Sequence, residues 1–324
     1  MEMQIERMTH QNIEEVTIQK LQCHRVVVII PAYNEERFIG SVILRARKLV
    51  DKVIVVDDGS TDATAEIAEA AGAIVMRHDQ NRGKGVALNT GFRSARSLEP
   101  DMTIILDADG QHVPEEIVQF VDPILAGTAD IVVGSRYLQN TSHVPVHRIW
   151  GHRLFNMMTE QASGVNLSDS QSGFRAFSKR ALEAITFKSN SFSVESEMQF
   201  LASERKLNIV EVPITIQYCE KPKRPVMLHG WIVLNGLLRL TGQYRPLLFL
   251  GLTGVLLIIA GVAWAGRVIS IYRISQIIPL GYIFISVALN LGGLFSLFTG
   301  IILHSVRGLL LDLLGSRGIA EKAA

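Results

Sequence analysis

"KVIVVDDGSTDATAEIAEAAG", residues 52–72, changes character at Asp57. The opening KVIVV is short, apolar and mostly β-branched, which reads as a buried strand. The segment after it offers Ser60, Thr61 and Asp62 as helix caps and ends on Gly72, a helix-stop residue. A strand that runs straight into a helix is the repeating unit of an α/β sheet. The same change recurs upstream and downstream. VVVII (26–30) precedes a helix expected from near Asn34, and AIVM (73–76) precedes one expected from near Lys84. TIIL (103–106) and DIVVG (130–134) flank a helical stretch after Pro114. The alternation predicts a doubly wound, mostly parallel sheet. Such sheets bind ligands beyond the carboxyl ends of their strands. Three polar clusters are expected there: PAYNEE (31–36), DDGS (57–60) and DADGQ (107–111).

In the third cluster Asp107, Asp109 and Gln111 alternate. An extended backbone would point all three to one side. Carboxylate and amide oxygens suit a hard divalent cation, Mg²⁺ or Mn²⁺, and such a cation in turn suits a diphosphate. NRGKG (81–85) puts Lys84 between glycines at a helix start, a good place for an anion, although the spacing is not that of a Walker A loop. No GxGxxG follows the first strand, which disfavours a nicotinamide dehydrogenase.

The 324 residues are 48% hydrophobic with a formal net charge of +1, which argues against a nucleic-acid partner. Two distant cysteines, Cys23 and Cys219, form no disulfide framework. Residues 1–24 read as a polar extension without a secretory signal. Residues 247–266 and 277–303 hold no charged side chain over 20 and 27 positions, enough for two transmembrane helices. The linker 267–276 carries Arg267 and Arg273. More basic residues flank the pair, among them Lys221, Lys223, Arg224, Arg239 and Arg245 before it, and Arg307, Arg317 and Lys322 after it. That bias predicts a two-pass protein with the first domain (25–225), the tail (304–324) and both termini in the cytosol. Residues 226–246 read as an amphipathic helix for the headgroup plane. Gly292, Gly293 and Gly300 suit close helix packing between subunits of a homo-oligomer.

Six stretches in order, VVIIPAYNEE (27–36), VVDDGSTDAT (55–64), NRGKGVALNTGF (81–92), ILDADGQHVPEEI (105–117), VGSR (133–136) and DSQSGFRAFS (169–178), resemble the family-2 glycosyltransferases. The nearest group is the polyprenyl- and dolichyl-phosphate glycosyltransferases, dolichyl-phosphate mannose synthases included. The resemblance implies the GT-A nucleotide-sugar-binding fold and a metal-dependent, inverting transfer from a UDP- or GDP-linked sugar to polyprenyl or dolichyl phosphate. It implies that Pro31, Ala32, Tyr33, Glu35, Asp57, Asp58, Lys84, Asp107 and Ala108 hold the nucleotide sugar. Asp107, Asp109 and Gln111 would hold Mg²⁺ or Mn²⁺, with Asp109, Gln111 and Arg136 central to catalysis. Arg136 and Arg148 would hold the acceptor phosphate together with His152, where the family pattern has Asn. Asp169, Gln171, Ser172 and Arg175 would approach the sugar and acceptor, and DSQSGFR inclines the reading to glucose or N-acetylglucosamine over mannose. Glu195 and Glu197 read first as helix-start residues that satisfy the helix dipole. The alternatives are transfer to a lipid-linked oligosaccharide or polysaccharide precursor, and a catalytically inactive membrane scaffold. The intact acidic motif argues against the scaffold.

Overall fold

A computed structural model describes residues 20–21, 23–138, 146–188, 194–217, 235, 242 and 245–323, with the backbone alone for 146–152, 154–155 and 310–323. The expected amphipathic helix and basic hinge lie outside the described residues, apart from isolated positions, as do residues 1–19. The chain forms two compact units, Met1–Gly236 and Leu237–Ala324.

In the first unit strands β1 (Val26–Ala32), β2 (Lys52–Asp57), β3 (Ile74–Arg77), β4 (Met102–Ile105) and β5 (Ile131–Ser135) stand where the apolar runs predict them. Two further strands, β6 (Arg175–Ser178) and β7 (Ile209–Pro213), complete a seven-stranded sheet of order β3-β2-β1-β4-β6-β5-β7. β1 pairs in parallel with β2 and with β4, in a register that sets Ile29 beside Ile54 and Ile105. β6 alone is antiparallel, to β4 on one side and β5 on the other. Its reversed direction brings the chain that precedes it, residues 169–174, to the edge where the parallel strands end.

Helices α1 (Ile39–Ala46), α2 (Thr64–Ala70) and α3 (Lys84–Arg96) follow the first three strands. Val28, Ile30, Val55 and Ile104 are buried among Ile39, Ile43 and Phe120 because both faces of the sheet are covered. α1 begins later than expected. Asn34 takes a left-handed φ of 56°, and the chain turns through residues 35–38 before the helix. α2 starts at Thr64, where Asp62 Oδ1 accepts from the Thr64 amide at 3.1 Å, and Gly72 follows it at φ 82°. In α3, Gly91 lies against Ile29 and Val56, and a Cβ there would overlap Ile29 Cγ2. A 3₁₀ turn (Pro114–Phe120) leads into α4 (Val121–Leu125); α5 (Val146–Ser163), α6 (Lys179–Ala184) and α7 (Val194–Glu204) complete the unit.

The second unit is a helical hairpin. A π-helical turn, Leu247–Gly251, continues into α8 (Leu252–Ser275), and α9 runs from Leu280 to Ala323. Leu247–Ser275 and Leu280–Leu309 have mean hydropathies of 2.4 and 1.8, yet Leu256, Ile259, Phe284 and Phe295 are exposed. Apolar length with an exposed surface suits a bilayer and not a soluble core. The first helix runs further than expected, so Arg267 and Arg273 lie on α8 and only residues 276–279 turn. The helices approach closely at Gly254 and Gly293: a Cβ on either would sit 2.6–2.7 Å from the other's carbonyl oxygen. Gly300 faces Gly251 and Leu250 more loosely: a Cβ there would lie 3.2 Å from each. Gly293 and Gly300 therefore serve packing of the two helices within the chain.

Candidate active site

The loops after β1 and β2 lock together. The Asn34 amide donates to Ser60 Oγ at 2.9 Å, the Glu35 amide to Thr64 Oγ1 at 2.8 Å, and the Thr61 amide to Asn34 Oδ1 at 2.9 Å. Pro31, Ala32 and Tyr33 lead into this pair of loops, with Ala32 buried and Tyr33 44% exposed. Asp57 accepts from the Ser60 amide at 3.1 Å. Asp58 turns inward: it accepts from the amides of Arg82 and Gly83 at 3.0 and 2.7 Å and meets His78 Nδ1 at 2.7 Å. Asp58 thus fixes the loop that carries Lys84.

Beyond β4 the chain does not stay extended. Gly110 takes φ 70°, and a turn forms at Ala108–Asp109. Asp109 Oδ1 accepts from the Gln111 amide at 3.0 Å, and Oδ2 from Gln111 Nε2 at 2.7 Å. A turn, not strand alternation, brings Asp109 and Gln111 together. Phe38 lies under Gly110, where a Cβ would come within 3.1 Å of its ring.

Lys84 stands at the N-terminus of α3 and reaches two carboxylates, Asp107 Oδ1 at 2.7 Å and Glu195 Oε1 at 2.8 Å. Burial lowers the Lys84 pKa, but the Asp107 and Glu195 charges outweigh it and hold the ammonium well above the usual lysine range. Burial works against ionising Asp107 too, yet the Lys84 charge keeps its carboxyl below the usual range. Asp109 has no such ion-pair partner among the described residues: burial, then the Asp107 charge, pushes its pKa up to about 6. His112 is buried, with Nδ1 4.0 Å from Asp107 Oδ2 and no hydrogen-bond partner among the described residues. Burial lowers its pKa to about 4.

The segment before β6 closes the other side. Gly173 presses its backbone against Asp107, and a Cβ at 173 would overlap the carboxylate. Asp169, 1% exposed, forms a fork with Arg136, whose Nε and Nη2 each donate at 2.6 Å. Glu211 on β7 holds the Ser168 and Asp169 amides. Gln171 Nε2 donates to Ser196 Oγ at 3.1 Å, and Ser172 Oγ is buried without a partner among the described residues. Arg175 departs from expectation. It is 1% exposed and donates to the carbonyls of Ser170, Ser172 and Glu195, so its guanidinium knits the loop to α7 and does not face a ligand. Arg148 and His152 belong to α5, with side chains outside the described residues.

Residues 27–186 match the family described as Glycosyl transferase family 2. The UDP-N-acetylglucosamine–dolichyl-phosphate N-acetylglucosaminyltransferase of Methanococcus voltae is 35% identical over 217 residues, 60% of this chain and 86% of that protein. The chain belongs to glycosyl transferase family 2. A second family-2 relative, the polyprenol monophosphomannose synthase of Mycolicibacterium smegmatis, is 31% identical over 59% of this chain and 77% of that protein. Glucosyl-3-phosphoglycerate synthase from Mycobacterium tuberculosis, solved with Mg²⁺ and UDP, superposes with a TM-score of 0.56 at 25% identity, over 69% of this chain and 83% of that one. These relatives support the polyprenyl-phosphate group within family 2 and the GT-A fold.

Among the expected site residues of this family-2 domain, Lys84 meets Asp107, Asp109 meets Gln111, and Arg136 meets Asp169. Two participants escaped sequence reasoning. Glu195 reads as a dipole partner of α7 but binds Lys84. Gly173 walls Asp107; its place in DSQSGFR is the only sequence signal for that contact.

Proposed function

We propose that this chain transfers one hexose or N-acetylhexosamine from a nucleotide-diphosphate sugar to the phosphate of polyprenyl or dolichyl phosphate, at the cytosolic face of a membrane. The reading rests on one observation above all. A turn bearing Asp107, Asp109 and Gln111 adjoins both Lys84 and the loop 169–174 at the carboxyl edge of the sheet.

Two carboxylates and an amide oxygen suit Mg²⁺ or Mn²⁺, and Asp109, raised to about 6, carries charge that a cation would relieve. Among the described residues no three His, Cys, Asp or Glu side chains form a closed cage. That accords with an ion that takes few protein ligands and completes its shell with water and phosphate oxygens. Asp107, Asp109 and Gln111 would hold it, and it would supply Lewis-acid neutralisation of the departing nucleoside diphosphate.

Lys84 adds an ammonium beside the diphosphate, at a helix N-terminus that favours anions. Asp169 fixes the plane of the Arg136 guanidinium for the acceptor phosphate. An acceptor phosphate oxygen attacks the anomeric carbon. The bond from that carbon to the β-phosphate oxygen breaks, and its electron pair leaves with the nucleoside diphosphate. A phosphate monoester with a second pKa of about 6 is already an anion at neutral pH, so the step needs no strong base. His112, neutral near pH 7, is not called on for one. Positioning and electrostatics carry the rate.

Membranes containing the full chain, given Mn²⁺, polyprenyl phosphate and a panel of labelled UDP- and GDP-sugars, are extracted with organic solvent. The expected result is lipid-phase label from one donor, lost with EDTA and with Asp109→Ala. Label appearing only when a lipid-linked oligosaccharide is supplied would move the acceptor. No label from any donor would favour the scaffold.

A further inference from the structure

Lys84 lies almost midway between two carboxylates, 2.7 Å from Asp107 and 2.8 Å from Glu195. The two are not alike. Asp107 is on the turn proposed to hold a cation, with a side chain 27% exposed; Glu195 is at the start of α7 and 7% exposed. Both are fixed. The Gly173 backbone blocks Asp107 on one side. The Glu195 carbonyl accepts from buried Arg175 at 3.1 Å, which ties that end of α7 to the loop. Lys84, on a flexible four-carbon stem, is the member able to move.

An ammonium on Asp107 Oδ1 and a divalent cation on the same carboxylate compete, since Oδ2 is the oxygen pressed by the Gly173 backbone. With only one carboxylate near it, Lys84 would resist the cation, and a displaced ammonium in a mostly buried site would be costly without a second partner. We propose that Glu195 is a positioning residue that takes Lys84 when a divalent cation claims Asp107, and so sets how readily the cation binds. This rests on the metal-dependent reading above. It gives Glu195 a part in the reaction without contact to substrate.

The test is a double-mutant cycle on the full chain in detergent, reading Mn²⁺ uptake by electron paramagnetic resonance with UDP present. Glu195→Gln is expected to weaken Mn²⁺ binding roughly tenfold, because Lys84 stays on Asp107. Lys84→Gln removes the competitor and, at saturating UDP that offsets its lost contact to the diphosphate, is expected to tighten Mn²⁺ binding. The decisive comparison is Glu195→Gln in the Lys84→Gln background. A hand-off predicts no further loss there, because nothing remains to hand over. A simple field effect of one lost negative charge predicts the same loss in both backgrounds, and that result overturns the proposal. If Glu195→Gln does not fold, Glu195→Asp, which shortens the reach to Lys84, enters the same cycle. Wild-type protein that takes up no Mn²⁺ with UDP refutes the metal reading itself. Wild-type uptake with an additive cycle refutes the hand-off alone.

Discussion

At the scale of single residues, the Asp107–Gln111 turn carries the sharpest consequences. Gly173→Ala puts a methyl where the Asp107 carboxylate lies. Displacing that oxygen by about 1 Å is expected to cost roughly 100-fold in transfer rate, with circular dichroism unchanged; wild-type turnover would show that Asp107 has room to move. Asp109 behaves in the opposite sense to most buried carboxylates that have ion-pair partners. Its pKa of about 6 lies above the ~3.9 of an unfolded chain, so ionising it in the fold costs stability. The cost is absent below about pH 4 and complete above about pH 6. Asp109→Asn is therefore expected to stabilise the metal-free protein at pH 7.5 by about 1 kcal/mol after allowance for solvent screening, a Tm rise of about 3 °C. The gain should vanish near pH 4 and the transfer activity should be lost; an Asn variant less stable at pH 7.5 contradicts the assignment. The acidic residues and Lys84 were readable in the sequence because their neighbours place them at strand and helix ends. Their geometry was not, since the positive φ of Gly110 replaces strand alternation with a turn. Glu195 was not readable either, because only the fold brings the start of α7 to Lys84.

Among the elements, α3 links the core to the chemistry. It lies on the sheet through Gly91 and presents Lys84 at its first turn. Gly91→Ala forces a methyl into Ile29, an overpacking that costs about 1–3 kcal/mol. Thermal unfolding should register that loss, with a raised KM for the nucleotide sugar if α3 shifts; unchanged values for both would mean that the sheet yields without moving the helix. Five of the six parallel strands, β1 to β5, were legible from their apolar runs. β6 was not, because RAFS is short and lies directly after a polar loop. Yet its antiparallel insertion is what carries Asp169–Phe174 to the site. Arg175 misled for the same reason: next to a motif, it reads as a ligand-binding cation, whereas at the start of a buried strand it satisfies loop carbonyls.

For the whole molecule, the two apolar helices were legible from length and the absence of charge, but their ends were not. α8 runs past Arg273, and the hairpin turns at Gln276, whose φ of 53° ends the helix. If the basic flanks set orientation, a Gln276→Cys substitution should react with an impermeant maleimide on intact cells, while the native, exposed Cys23 reacts only after permeabilisation. The reverse pattern would invert the topology. The backbone contact at Gly173 has a further meaning, in evolutionary time. If Asp107 holds the proposed cation, a lineage under selection for transfer cannot accept a side chain at 173, whereas one that has abandoned catalysis is released from that restriction. In chains of this design, a bulkier residue at 173 therefore dates the loss of chemistry, even where every acidic residue of the motif is still in place.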